Sequence, residues 1–156
     1  MSTMKTWRAN SASSKNTELL AANLARNFLG GEVIELVGDL GSGKTTFVRG
    51  LAKGLGSMDH VSSPTFKISN EYSGKKIKIL HFDFYRLDEP GLMNDELAEV
   101  IGDPLVVVIV EWADVIRGVL PANRLTITLL HKSETSRRIS FTYPESLSYL
   151  MEGLAQ

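Results

Sequence analysis

The chain has 156 residues, which is enough for one domain with a well-developed core, and a second domain is not expected. Lysine and arginine total 17 against 18 aspartate and glutamate residues, so the net charge of −1 gives no electrostatic argument for binding nucleic acid or an anionic membrane. The lack of cysteine excludes disulfides, thiolate metal sites and a thiol nucleophile. With no apolar signal-peptide core near the N-terminus and no apolar run approaching the ~20 residues of a membrane helix, a soluble cytoplasmic protein is expected.

The first predicted element is an amphipathic helix. Ser13 and Ser14 are good N-cap residues, and apolar side chains then recur at helical spacing as far as Phe28, before Gly30 and Gly31 end the pattern. The next run, VIELV, predicts a short strand at 33–37 that leads into a glycine-rich turn. The sequence TTFVRGLAKGLG after that turn predicts a helix ending near Gly54 to Gly56.

The rest of the chain continues this alternation. Strands are predicted at KIKILHFDF (76–84), LVVVIV (105–110), RLTITLL (124–130) and RRISFTY (137–143), with a closing helix at SLSYLMEGLA. The whole chain, 1–156, is therefore expected to be one α/β domain with a central, largely parallel sheet flanked by helices. The stretch from Asp88 to Asp103 is the best candidate for a mobile insertion.

The segment GDLGSGKT, Gly38 to Thr45, matches the phosphate-loop pattern GxxxxGK[ST] between a predicted strand and a predicted helix. Glycines let successive N–H groups point at phosphate oxygens, and the helix N-terminus adds about half a positive charge. Lys44 is expected to reach the β and γ phosphates, and the Thr45 hydroxyl to ligate Mg²⁺. The nucleotide contacts expected from this region are Asp39, Leu40, Gly41, Ser42, Gly43, Lys44, Thr45 and Thr46.

Two carboxylates are candidates for the magnesium site. Asp83 lies near the end of a predicted strand, and Glu111 follows the most apolar strand of the chain, where ligands collect in open parallel sheets. An ordinary turn at Asp83 and an exposed strand end at Glu111 remain alternatives. His81 shares a strand with Asp83 and is either a partner of the site or a packed strand histidine.

Other polar segments are more ambiguous. SSPTF (62–66), which includes Thr65, is either a switch segment that closes over the γ-phosphate or an ordinary turn. The basic residues near 75–78 and at Arg137 and Arg138 are most simply solvated strand ends, although they are able to touch RNA.

The segments GDLGSGKTTFVRGLAKGLG, SSPTFKISNEY, HFDFYRL and VIVEW, in this order, resemble the TsaE family, also called YjeE. The resemblance runs from about Thr17 to Trp112 and more faintly to the C-terminus. It implies a P-loop ATPase required for threonylcarbamoyladenosine beside the anticodon of tRNA, which acts on a TsaB and TsaD pair and reaches tRNA through that pair.

By the same resemblance, Lys44 binds phosphate, Thr45 and Glu111 ligate magnesium, and Asp83 is the acid of the HxDxYR motif. Thr65 belongs to the switch segment, and Trp112 lies beside the nucleotide, ATP or ADP. Weaker similarity assigns the base pocket to Ser13, Thr17 and Arg137.

Two other functions remain open from the sequence. A small-molecule kinase would need an acceptor pocket and usually an arginine-bearing lid, but the 88–103 stretch contains no arginine. A nucleotide-dependent binding switch with negligible hydrolysis is the other alternative.

Overall fold

The computed structural model describes residues 3–39, 41–62, 69–84, 91–113 and 118–154. Its strands are β1 (Met4–Ser11), β2 (Val33–Val37), β3 (Ser69–Ser73), β4 (Lys78–Asp83), β5 (Val106–Glu111), β6 (Leu125–His131) and β7 (Arg137–Pro144). Its helices are α1 (Ser14–Ala25), α2 (Lys44–Gly54) and α3 (Gly91–Val100), followed by a 3₁₀ helix at Glu145–Met151.

All seven strands form one sheet in the order β1-β7-β6-β2-β5-β4-β3. β2 lies at the centre between β5 and β6, parallel to both, and β4 is parallel to β5. The remaining pairings are antiparallel, so five of the seven strands, β1 included, run in the direction of β2. The predicted α/β fold with a largely parallel sheet is thus confirmed, and the carboxyl ends of β2, β4 and β5 meet at one edge.

The core is divided by the sheet. One apolar cluster lies between the sheet and helices α1 and α2 and includes Ile34, Ile109 and Ile127. The other lies on the second face of the sheet and includes Leu97 of α3 with side chains of β4 and β5. Every residue of β5 is buried, as expected for a central strand covered on both faces.

α1 and α2 pack unusually closely through glycine. A Cβ built on Gly50 would lie 2.4 Å from the Glu18 carbonyl oxygen, and one on Gly54 would lie 2.4 Å from that of Ala22. The two helices therefore approach backbone to backbone along the C-terminal half of α2, where any side chain larger than glycine's would collide with α1.

The sequence located most elements. β2 has its predicted bounds, α2 ends within the predicted range, and Ser13 caps α1 by accepting a hydrogen bond from the Asn16 N–H at 3.1 Å. α1, however, ends at Ala25 rather than Phe28.

Other predictions need correction. β1 and β3 were not predicted, because both are mostly polar, partly exposed strands without a clear apolar alternation. The stretch called an insertion contains α3, whose Leu97 is fully buried. The closing helix is a 3₁₀ helix that ends at Met151.

Candidate functional site

The phosphate loop connects the end of β2 to the start of α2. Gly41 and Gly43 both have positive φ angles, 79° and 104°, which only glycine adopts without strain. Gly43 is the N-cap of α2, and no side chain of the described residues caps that helix. The first amide groups of α2 therefore remain available to an anion, while Leu40 lies outside the described residues.

Lys44, the first residue of α2, is buried at the mouth of this loop. Its ammonium donates a hydrogen bond to the Gly38 carbonyl and lies 3.7 Å from Oε1 of Glu111. The ammonium also lies 4.3 Å from the ring centroid of Trp112, within cation–π range. The loop thus brings together the lysine, carboxylate and indole that the sequence singled out separately.

The two candidate acids lie side by side at the carboxyl edge of the sheet. Asp83 and Glu111 are register partners on the parallel strands β4 and β5. Glu111 is only 3% exposed, which excludes the alternative of a solvated strand end, and Asp83 is half-buried. Oε2 of Glu111 contacts Nε2 of His81, the histidine that the sequence offered as a partner of the site. The choice of Glu111 as its partner depends on the register of β4 and β5.

Trp112 follows Glu111 in an uncommon conformation. Its φ of 58° makes it the only non-glycine residue with positive φ among the described residues. Such a conformation costs on the order of 1–3 kcal/mol and persists only where its surroundings hold it. The positive φ ends the extended backbone of β5 immediately after the carboxylate.

Arg137, predicted to lie in the base pocket, lines the cavity over the phosphate loop and also holds the loop in place. Its guanidinium donates to the carbonyl oxygens of Ser42 at 2.9 Å and Gly41 at 3.3 Å. It also donates to the carbonyl oxygens of Ser133 and Ser136, so one side chain joins the loop to the β6–β7 turn. The structure gives Arg137 a loop-supporting role that the sequence did not indicate.

An open cavity of about 270 Å³ lies over these groups. Its lining consists of loop, acidic and aromatic residues: Gly41, Gly43, Lys44, Thr45, Thr46, Asp83, Glu111, Trp112 and Arg137. It therefore contains most of the residues predicted from sequence to bind nucleotide and metal.

Other predicted residues of the described part of the chain are not part of this lining. Asp39 is exposed in the loop, and its carbonyl accepts from the Ser42 N–H at 3.0 Å. Thr17 lines a small neighbouring cavity with Thr46 and Arg137, but its hydroxyl is bonded to that of Ser11 at 2.6 Å. Ser13 caps α1 and lines neither cavity, and Thr65 lies outside the described residues.

The oxygen groups in the cavity fit a magnesium ion shared with phosphates. The described residues contain no cluster of three or more His, Cys, Asp or Glu side chains able to hold a metal by themselves. Mg²⁺ normally takes one or two carboxylates together with phosphate oxygens and water. The Thr45 hydroxyl, Asp83 and Glu111 match that pattern.

Comparison with known proteins identifies the family. The profile of the threonylcarbamoyl adenosine biosynthesis protein TsaE matches residues 11–139. The chain belongs to the TsaE family. It is 38% identical over 141 residues to the tRNA threonylcarbamoyladenosine biosynthesis protein TsaE of Bacillus subtilis, an alignment that covers 89% of this chain and 87% of that protein. It is 34% identical to the protein of the same name from a Nostoc species, over 84% of this chain and 82% of that one.

The fold agrees with this family assignment. The crystal structure of YdiB from Bacillus subtilis superposes with a TM-score of 0.73 at 35% identity, covering 99% of this chain and 95% of that chain. In the part of this TsaE-family chain that the structure describes, no helix is both long and apolar enough to cross a bilayer.

Proposed function

We propose that this TsaE-family protein is a Mg²⁺-dependent ATPase that couples ATP hydrolysis to threonylcarbamoyladenosine modification of tRNA by acting on a TsaB and TsaD pair. The observation that carries the proposal is the buried meeting of Lys44 and Glu111, 3.7 Å apart, beside an uncapped helix N-terminus. An anion-binding loop with a carboxylate opposite its lysine suits the β and γ phosphates of a nucleotide together with a cation.

The loop and Lys44 bind the triphosphate in this account. Amide groups at the start of α2 donate to phosphate oxygens, and the Lys44 ammonium exchanges its contact with the Gly38 carbonyl for one with phosphate. Arg137 keeps the loop in shape by binding its carbonyl oxygens, so little of the binding energy is used to order the loop.

Thr45, Glu111 and Asp83 would hold Mg²⁺ against the phosphates. When bound, the ion would neutralise charge that develops on the β and γ oxygens during transfer. A water oxygen bonds to the γ-phosphorus as the bond from that phosphorus to the β–γ bridging oxygen breaks. ADP leaves with the bridging oxygen, and the proton of the water passes to the phosphate that forms or to solvent. Glu111, buried, and Asp83, half-buried, would hold the ion and orient the attacking water with charges fixed before the reaction begins.

The proposed partners follow from the family. The curated relatives are named for tRNA threonylcarbamoyladenosine biosynthesis, and the resemblance of the sequence motifs implies action on TsaB and TsaD. A switch-like SSPTF segment suits slow hydrolysis by the isolated protein and faster hydrolysis on that pair.

The test is phosphate release from ATP, measured with the protein alone and with a purified TsaB and TsaD pair, in the absence of any other acceptor. The proposal expects ADP and phosphate in both cases and a higher rate with the pair. A requirement for an added acceptor would identify a kinase instead, while nucleotide binding without turnover would identify a binding switch. Equal rates with and without the pair would contradict the coupling role.

A further inference from the structure

His81 on β4 is completely buried beside the candidate site. It is 0% exposed, and its Nε2 contacts Oε2 of Glu111 on the neighbouring strand. Residues two apart on a strand share a face, so His81 and Asp83 both point toward the side of the sheet that carries α2. The histidine contacts the carboxylate without being one of the residues that line the cavity.

The hydrogen bonds assign the roles of the two ring nitrogens. Nδ1 of His81 is buried and has no hydrogen-bond partner among the described residues. An unpaired buried N–H group is rarer and costlier than an unpaired acceptor, so the hydrogen belongs on Nε2, where it is donated to Glu111. The imidazole is then a fixed donor to one carboxylate oxygen.

Tyr72 on β3 supports the imidazole from the side. The two rings lie 6.5 Å apart between centroids at 42°, a tilted contact. The Tyr72 hydroxyl donates to the Ser62 carbonyl at 2.9 Å, and Asn70 donates to the same carbonyl at 3.1 Å. The histidine is therefore packed against Tyr72, whose hydroxyl anchors Ser62 at the start of the SSPTF motif.

We propose that His81 is a positioning residue that fixes the Glu111 carboxylate, because its Nε2–H holds Oε2 while Oε1 faces Lys44 and the cavity. An unsupported glutamate has several rotamers, and a metal-binding or water-orienting carboxylate works best when a second group selects one. The expected effect of His81 on hydrolysis rests on the proposed function. Its effect on the conformation of Glu111 does not, and it can be measured in a protein that is not hydrolysing ATP.

The test compares three substitutions at His81. Gln places an amide N–H near the position of Nε2, Asn carries the same amide but is too short to reach Glu111, and Leu fills similar volume with no donor. His60→Gln, at an exposed histidine, is the matched control and should behave as wild type in every measurement. Thermal unfolding establishes that each variant is folded, and the Gln and Asn pair carries the comparison if Leu fails to fold.

The rate of hydrolysis should depend on whether the side chain at position 81 is long enough to contact Glu111, and not only on whether it is polar. With the TsaB and TsaD pair present, Leu and Asn should lower the single-turnover rate about 10- to 100-fold, the usual effect of losing a group that orients a metal ligand, while Gln stays within a few-fold of wild type. Affinity for ADP without magnesium should change less than about two-fold in all three, since the loop supplies it. Equal rates for Gln and Asn would overturn the proposal.

A second readout needs no turnover. Proton NMR of the isolated protein should show one strongly downfield, exchange-protected imidazole N–H resonance, absent in His81→Gln and shifted in Glu111→Gln. Calorimetry should show that magnesium strengthens ADP binding less in Asn and Leu than in Gln. If wild type fails to hydrolyse ATP, the proposed function falls, whereas an N–H resonance insensitive to Glu111→Gln overturns the positioning role by itself.

Discussion

Two glutamates, at opposite ends of the parallel strands, are buried to nearly the same degree but are held in different ways. Glu111, 3% exposed, is the last residue of β5 at the carboxyl edge, and Glu32, 4% exposed, precedes β2 at the amino edge. Glu32 accepts the backbone N–H groups of Leu29 and Gly30 at 2.7 and 2.8 Å and the Tyr149 hydroxyl at 2.6 Å. Its lone pairs are used within the fold.

Glu111 is held by groups of another kind. Its two oxygens face the His81 imidazole and the Lys44 ammonium, and it lines an open cavity next to an anion-binding loop. Burial alone therefore does not identify a functional carboxylate. The distinguishing features are side-chain partners in place of backbone donors and access to a cavity, which leave the charge available to a ligand.

The largest expected effect is that of Lys44→Ala. Removing the ammonium leaves phosphate charge uncompensated, so ATP hydrolysis should fall on the order of 100- to 1000-fold, as for loss of one preorganised charge-stabilising donor. The fold should persist, since glycines and Arg137 shape the loop. Steady-state phosphate release checks this, with Lys53→Ala, exposed at the last turn of α2, as the control. Normal turnover by a folded Lys44→Ala protein would be incompatible with the phosphate-loop assignment.

Glu111→Gln should have the next largest effect. The substitution keeps shape but removes the charge that balances the cation, so hydrolysis should fall about 100-fold while ADP still binds through the loop amides and Lys44. Calorimetry with ADP and phosphate release across a magnesium titration measure both quantities. If the variant keeps normal hydrolysis and an unchanged magnesium requirement, the metal site must be rebuilt around Asp83.

Glu32→Gln should lower the stability of the protein without lowering its rate of hydrolysis. Its amide nitrogen would face a backbone N–H of Leu29 or Gly30, leaving a buried donor unsatisfied, so the free energy of unfolding should fall by about 1–3 kcal/mol. Hydrolysis by the folded protein should not change. Urea unfolding monitors stability, with Glu134→Gln, at an exposed position in the β6–β7 turn, as the control. A catalytic defect without loss of stability would erase the distinction between the two carboxylates.

Tyr149→Phe should produce the smallest change. Losing one hydrogen bond to Glu32 should lower the free energy of unfolding by about 1 kcal/mol near neutral pH. Burial, together with the Glu32 carboxylate, raises the pKa of Tyr149, so the unfolded chain loses this proton first as pH rises above about 10. Wild-type stability should therefore fall more steeply with alkaline pH than that of the variant, and parallel urea curves from pH 8 to 11 would contradict this.

How much the sequence predicts depends on the range of the interaction. The phosphate loop and Glu111 were predictable because a local motif and one apolar strand encode them. The contact of His81 with Glu111 depends on the register of β4 and β5, and the triad around Glu32 needs Tyr149 from the far end of the chain. No local pattern encodes such pairings.

The N-terminal strand shows a second limit. β1 alternates only weakly between exposed and buried side chains, and its place in the sheet is set by antiparallel pairing with β7 at the opposite end of the sequence. The same is true of Arg137, whose contacts with the loop arise because β7 reaches the carboxyl edge of the sheet. From the sequence alone, the side chain of Arg137 is most simply interpreted as a solvated strand end.

Single-turnover ATP hydrolysis with a TsaB and TsaD pair, measured in parallel for wild type, Glu111→Gln and Glu32→Gln, tests the central claim most directly. The two variants remove one charge each from equally buried positions, at a temperature where both are folded. We expect Glu111→Gln to be slower than wild type by about 100-fold and Glu32→Gln to match wild type. Equal rates for the two variants, whether both fast or both slow, would contradict the assignment of Glu111 as the working carboxylate.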